Sequence, residues 1–222
     1  MADLDEVITS RRSVRGFRRD REVPREVLLQ TFELAQHAPS NCNVQPWRVF
    51  VASNARRDRL VRALEEAIER HDPPCPEDPI DSFPDDYRRL QFACAAELYT
   101  RMGIERGDAA GRRRAMLLNY RLFDAPHVAI VCMAREFGRG VALDVGIWLQ
   151  TVMLGLWSRG VATCAQASLR NYPQLIRAEL GIPENLTILC GLSIGFEDPD
   201  VPANATRQRR EPLRSNVLFL DE

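Results

Sequence analysis

The sequence predicts a single domain that mixes helices with a few short strands. Three observations carry this. The chain has 222 residues, enough for one sizeable hydrophobic core. Segments with apolar residues at helical spacing, such as Val27, Leu28, Thr31, Phe32, Leu34 and Ala35, recur along it. Between them lie short continuous apolar runs, at 127–133 and 186–194, of the kind that form buried strands.

Residues 3–10 read as a short helix with Leu4, Val7 and Ile8 on one side. Next comes Arg11-Arg12-Ser13-Val14-Arg15-Gly16-Phe17, with three arginines and a serine within five residues, a composition that suits a phosphate. Val14 and Phe17 anchor it as a fixed segment rather than a solvated basic stretch. Val23-Pro24 opens a second helix, with the proline suited to its first turn, and the pattern runs to Ala38. The chain then turns through Ala38-Pro39-Ser40-Asn41-Cys42-Asn43-Val44-Gln45-Pro46-Trp47. The prolines restrict the backbone, while Ser40, Asn41, Asn43 and Gln45 offer hydrogen bonds without charge. That suits the rim of a flat, many-atom ligand; a capped helix end and a plain turn have the same composition.

A strand is expected over 47–52, then a cap at Ser53-Asn54 and an amphipathic helix over 56–70 with Leu60, Leu64, Ala67 and Ile68 inward. Pro73, Pro74, Pro76, Pro79 and Pro84 make 71–86 an irregular surface excursion. Helices follow over 87–106 and 109–123, with a mobile joint at 103–111. After the strand at 127–133 comes a helix over 142–159 that is apolar nearly all round, carrying Trp148, Leu149, Val152, Met153, Leu156 and Trp157. Gly146 and Gly155 allow close approach to it. A helix of this kind is buried, and a chain this size has little room to cover every side, so a subunit interface is implied. Residues 160–166 form a short strand, 172–180 a helix stopped by Gly181 and Pro183, and 186–194 the last strong strand. A proline- and arginine-rich tail ends in the apolar Val217-Leu218-Phe219-Leu220.

The net charge of −1 calls for neither nucleic acid nor an anionic membrane. No apolar run looks long enough to span a bilayer, and the acidic N-terminus lacks a signal-peptide pattern, so a cytoplasmic location is expected. The six cysteines form no Cys-x-x-Cys pair and read mostly as small buried residues of a reducing compartment. His37, His71 and His127 have no metal-ligand spacing, so no metal site is expected. All 30 basic residues are arginine. The absence of lysine excludes a pyridoxal Schiff base, a P-loop and a protein kinase. Any bound phosphate must be held by arginine forks, hydroxyls and backbone N–H groups.

Taken in order, Arg11-Arg12-Ser13-Val14-Arg15, Ala38-Pro39-Ser40 through Gln45-Pro46-Trp47, the 160–166 segment, Ser193-Ile194-Gly195 and the 207–212 tail resemble the FMN-dependent nitroreductases. The likeness runs from the first helix to the tail; residues 72–111 are the part that does not align. It implies an α+β fold with a central mixed sheet flanked by helices. It also implies an intertwined homodimer with two FMN sites at the subunit interface, and a C-terminal tail, about 200–222, that embraces the partner.

Carried over by this resemblance, Arg11, Arg12, Ser13 and Arg15 would hold the FMN phosphate and ribityl chain, joined by Arg207 and Arg210 from the tail. Arg209 could stand in for either tail arginine. Pro39, Ser40, Asn41 and Asn43 would line the isoalloxazine, from the other subunit. Cys164, Ala165 and Gln166 would present backbone groups near its reactive edge, although the family's acidic residue and glycine are replaced here by Gln166-Ala167. Asn119 and Arg121 are further candidates for the pyrimidine edge. No side chain is assigned as an obligatory acid, base or nucleophile, and His37 and Cys42 read as packing residues. The implied activity is reduction of a nitroaromatic or quinone-like acceptor by NAD(P)H in a ping-pong cycle. A flavin, enone or dehalogenating reductase on the same scaffold, or a non-enzymatic FMN-binding dimer, are the alternatives.

Overall fold

The fold is built outward from the strand that the sequence marks as most apolar. The computed structural model describes residues 3–79 and 82–220. Met1 and Ala2 of the acidic N-terminus, and Ile80 and Asp81 of the proline-rich excursion, lie outside the described residues. The chain runs through α1 (Leu4–Ser10), α2 (Arg25–Ala35), β1 (Arg48–Ser53), α3 (Asn54–Glu69), α4 (Asp85–Arg101), α5 (Ala109–Tyr120), β2 (His127–Ala134), α6 (Arg139–Trp157), β3 (Ala162–Gln166), α7 (Pro173–Leu180) and β4 (Leu186–Gly195). The four strands lie in the order β1-β2-β4-β3. Their pairings are all antiparallel; the parallel part of the mixed sheet is the bridge from Ser13 to Thr163 beyond β3.

Because strand side chains alternate between faces, the central strand β2 feeds two cores. Ala129, Val131 and Met133 pack with Leu28 and Ala35 of α2 and with Val145, Trp148, Val152 and Leu156 of α6. Val128, Ile130 and Cys132 pack with Leu60, Leu64 and Ile68 of α3 and Ile176 of α7. Burial on both faces explains why the run is continuously apolar rather than alternating. β4 changes phase along its length. Cys190 pairs with Val131 and Ile188 with Cys132, which leaves Leu189 as the extra residue of a bulge. Leu186 and Ile188 therefore join one core, while Leu192 and Ile194 join the other.

Several local expectations are corrected. Pro24 stands at the cap of α2, in extended backbone, rather than in its first turn. Ser53 occupies the cap of α3 but makes no capping bond; its Oγ lies 2.6 Å from His127 Nδ1. α5 stops at Tyr120, because Leu122, Phe123 and Asp124 are left-handed with φ of 59°, 54° and 67°. Each such residue costs about 1–2 kcal/mol. The turn is held by Arg57, which donates to the Arg121 and Ala125 carbonyls at 3.0 and 2.9 Å. The joint at 103–111, expected to be mobile, is capped at both ends. Ile104 N–H bonds Tyr99 O and Gly103 N–H bonds Thr100 O in a Schellman arrangement, with Gly103 at φ +66°. Asp108 caps α5 by accepting from Gly111 N–H at 2.7 Å.

α6 is the element whose surroundings matter most. With 19 residues and a mean hydropathy of 1.4 it is long and apolar enough to cross a membrane, contrary to the expectation that no run reaches that length. Here its inner side packs on the sheet and on α2. Gly155 lets Thr31 approach, since a Cβ there would stand 3.0 Å from Thr31 Cγ2. Gly146 instead meets open space, on the side where Leu143 and Ile147 are exposed.

His127 shows how burial sets a protonation state. Its Nε2 accepts from Val23 N–H at 3.1 Å, so Nδ1 carries the proton toward Ser53 Oγ. Burial lowers its pKa from the ordinary 6.5, against the pull of Glu22. Protonation would also strip the buried Val23 N–H of its acceptor. The unfolded chain then binds a proton that the folded one refuses. This contribution to stability is complete above about pH 6.5 and lost as pH falls through the folded value. We expect a loss of up to about 1.4 kcal/mol per pH unit in that window. Thermal melts of the wild type and His127→Asn at pH 7.5 and 5.5 check this. Equal losses in both proteins would assign the effect elsewhere.

Candidate functional site

The basic segment after α1 is fixed by its backbone and its apolar residues. Val14 is fully buried, and its N–H donates to Thr163 O at 3.0 Å. Phe17 N–H donates to Phe123 O at 3.0 Å. Asn204, from the tail, accepts from Arg15 N–H at 2.7 Å and donates to Gly16 O at 2.8 Å. The segment is thereby stitched between the edge strand β3 and the tail.

This stitching gathers positive charge. Burial lowers the pKa of Arg11, and the neighbouring Arg210 cation lowers it further. Arg11 and Arg15 both act on Cys164, whose burial pushes its thiol up to about 11. Cys164 is therefore a neutral core residue at physiological pH. Arg207 is exposed, with one terminal nitrogen on the Asn204 and Thr206 carbonyls at 2.8 and 2.9 Å. Of the tail arginines, Arg210 is the one whose charge bears on Arg11. Among the described residues, no carboxylate forms an ion pair with Arg11, Arg15, Arg207 or Arg210. Arg12 behaves differently. Its guanidinium is paired with Glu197 and lies 5.3 Å above the Trp157 ring, which makes it a structural tie and removes it from the free cations.

β3 is an edge strand, and Ala165 is its exposed residue. The Gln166 side chain is fully engaged: Nε2 donates to Asn119 O at 2.7 Å and Oε1 accepts from the buried Ser193 hydroxyl. It locks β3 to α5 and β4 and leaves only the backbone of 164–166 to face a ligand. Asn119 thus serves as part of this lock. Arg121 is turned to Glu65 and Asp124, at 3.7 and 3.3 Å, and leaves the set of pyrimidine-edge candidates.

The turn at 38–47 is held from α6. Asn41 N–H donates to the buried Asp144 carboxylate at 3.0 Å. Four residues on, Trp148 stacks on Trp47 with ring centroids 6.0 Å apart. Ser40 Oγ accepts from Gln45 N–H at 3.0 Å. Cys42, Asn43 and Gln45 adopt φ of 48°, 56° and 47°, a region that asparagine tolerates and the other two do not favour. Pro39, Asn41 and Asn43 are exposed and Ser40 half-buried. His37 and Cys42, expected to pack, are exposed as well.

The single chain does not bring the two groups together. The turn hangs from Asp144 near the start of α6, whereas Trp157 at its end donates to Ser10 Oγ at 2.8 Å, beside Arg11. These anchors are about 20 Å apart at 1.5 Å per residue. Other grooves lie elsewhere; one of about 440 Å³ between α3 and α5 is lined by Ile68, Met102, Ile104 and Leu117.

A model of the nitroreductase family matches residues 8–196 of the chain. The chain belongs to that family. Nitroreductase NfnB of Mycolicibacterium smegmatis is 39% identical over 219 residues, covering 97% of this chain and 92% of the relative. A 4-nitrobenzoate reductase of Nocardioides sp. is 34% identical over 230 residues, covering 98% and 90%. The crystal structure of the FMN-dependent nitroreductase NfnB from Mycobacterium smegmatis in complex with NADPH superposes with a TM-score of 0.93 at 37% identity, over 97% of both chains.

For a nitroreductase, three residues of this site have roles that the sequence does not reveal. Asp144 is a lone acid in an apolar helix, Asn204 is one of three amides in the tail with Gln208 and Asn216, and Gln166 looks like a ligand contact rather than a lock. A lone acid in the buried stripe of α6 could have been noticed, because burying an unpartnered carboxylate is costly. Asn204 is indistinguishable from a surface polar residue until the chain is folded, and the locking role of Gln166 appears only with its partners Asn119 and Ser193.

Proposed function

We propose that the chain is an NAD(P)H-dependent FMN oxidoreductase of the nitroreductase type, acting as a homodimer on nitroaromatic or quinone-like acceptors. The observation that carries this is the set of free cations. Arg210 acts on Arg11, Arg11 and Arg15 both act on Cys164, Asn204 ties the Arg15 backbone to Arg207, and none of these four arginines forms an ion pair among the described residues. Arg11 and Arg210 repel each other, and a dianionic phosphate between them would offset that repulsion by attracting both. The residues therefore fit the phosphate of FMN. The exposed amides of Asn41 and Asn43 suit the rim of an uncharged ring system.

Within that reading, Arg11, Ser13 and Arg15 bind the phosphate end, with Arg207 and Arg210 approaching from the tail. The 164–166 backbone and the Ser40–Asn43 rim orient the ring. FMN held by these residues would supply the redox chemistry, relaying electrons from the nicotinamide to the acceptor in a ping-pong cycle. No side chain of the chain is given a proton-transfer role. The separation of about 20 Å along α6 supports a two-fold dimer, in which the turn of one subunit meets the arginines of the other. The exposed Leu143 and Ile147 on α6 support the same arrangement. All six thiols are free, which supports a reducing, cytoplasmic location.

The purified protein is expected to carry or take up FMN, and extraction of FAD, or of no flavin after reconstitution, would refute the reading. Arg11→Ala is expected to weaken FMN binding about tenfold or more, the scale of one charge-assisted hydrogen bond. Arg12→Ala is expected to act on stability instead, through Glu197 and Trp157. Flavin fluorescence titration of both variants separates them, and equal FMN affinity in wild type and Arg11→Ala would move the phosphate elsewhere.

A further inference from the structure

We infer that Asn204 is a positioning residue whose carboxamide sets the spacing between the two groups of phosphate-binding arginines. The inference rests on the proposed reading of those arginines as a flavin phosphate site. Asn204 is 4% exposed, and every polar atom of its side chain is used. Oδ1 accepts from Arg15 N–H at 2.7 Å, and Nδ2 donates to Gly16 O and to Asp198 O, both at 2.8 Å. Its own carbonyl accepts from Arg207 Nη1 at 2.8 Å. A single residue is thus bonded at one end to the backbone that carries Arg11 and Arg15. At the other end it is bonded to the side chain of Arg207.

The chemistry selects an amide. An aspartate would press an oxygen against the Gly16 and Asp198 carbonyls, and a glutamine is one methylene too long for the same three bonds. Loss of the carboxamide leaves the Arg15 N–H without its acceptor and takes one of two donors from each of the Gly16 and Asp198 carbonyls, which keep the Asp198 and Val201 N–H groups; the tail is then free to shift against the arginine segment. Guanidinium forks recognise phosphate through fixed geometry, and a shift of either group costs part of that recognition. The turn at 38–47 and the 164–166 backbone are not bonded to Asn204, so contacts to the ring system are untouched.

The test compares two ligands that differ only in the phosphate. FMN and riboflavin are titrated by fluorescence into the full-length wild type, Asn204→Ala and Arg11→Ala, with circular dichroism to establish folding. Asn204→Ala is expected to weaken FMN binding about tenfold, the scale of one charge-assisted hydrogen bond, and to leave riboflavin binding unchanged. Equal weakening of both ligands would make Asn204 merely structural and overturn the inference. Unchanged FMN binding in Asn204→Ala with weakened binding in Arg11→Ala would overturn the inference alone. Unchanged FMN binding in both would overturn the phosphate site itself. Asn204→Ser, which keeps one hydrogen-bonding oxygen, gives the same reading should the alanine variant not fold.

Discussion

Glu77→Ala is expected to destabilise the protein by about 3–5 kcal/mol, the cost of breaking a buried ion pair from one side. Glu77 sits in the proline-rich excursion, yet its side chain is 12% exposed and that of Arg177 only 3%. Arg177 Nη2 donates to both carboxylate oxygens at 2.7 and 2.9 Å, Arg135 to one at 2.6 Å, and Ile188 N–H to the other at 3.2 Å. The alanine leaves Arg177 buried without its counter-charge. Glu184, 3.7 Å from Arg177 Nε, is 73% exposed and too well solvated to replace it. Burial raises the Glu77 pKa, but the bonds from Arg177, Ile188 N–H and Arg135 outweigh it and hold the group below its ordinary 4.5. Its contribution is therefore present above about pH 4.5 and fades as pH falls through the folded value. Urea denaturation at pH 7 measures the loss. Replacing the pair together, as Glu77→Leu with Arg177→Met, should recover most of it. A loss in Glu77→Ala below about 1 kcal/mol, the scale of a surface pair, would mean that the excursion is not pinned through this carboxylate.

That pin was not legible in the sequence, and the reason is physical. β2, β4, α3 and α6 could be read because each advertises a buried face in the spacing of its own apolar residues. Glu77 stands among prolines and charges and resembles a solvated loop residue. Its partner Arg177 lies on an amphipathic helix, where an arginine is ordinarily outside. The end of α5 was misread for the opposite reason. Leu122 and Phe123 continue the apolar pattern and are buried, but through a left-handed turn that only Arg57 and the packing reveal. In the site, charge was legible and pairing was not. Arg11, Arg12 and Arg15 are equivalent in the sequence, and Glu197, remote along the chain, takes Arg12 out of the group.

The tail is where this logic gives its largest functional effect: deletion from Arg207 onward is expected to abolish flavin retention and weaken the dimer together. The deletion removes Arg207 and Arg210, two of the four arginines assigned to the phosphate, and with them, at about 1.5–3 kcal/mol per charge-assisted bond, most of the phosphate affinity. It also removes Val217, Leu218, Phe219 and Leu220, which are 42%, 78%, 75% and 89% exposed in the single subunit. The tail thus does not fold back into its own core. Its near part runs along α4, with Gln208 Nε2 on Cys94 O at 3.2 Å and Glu211 paired with Arg89 at 3.2 Å. Full burial of an aliphatic or aromatic side chain contributes about 1.5–3 kcal/mol, so four of them docked on a partner would hold a large part of a dimer's free energy. A shorter deletion, of residues 217–222, separates the two roles because it spares Arg207 and Arg210. It should shift light scattering toward monomer while the remaining dimer keeps its FMN absorbance. The longer deletion should lose both signals. A stable, yellow dimer after the longer deletion would refute both roles, and a colourless dimer would leave the tail only its grip on the phosphate.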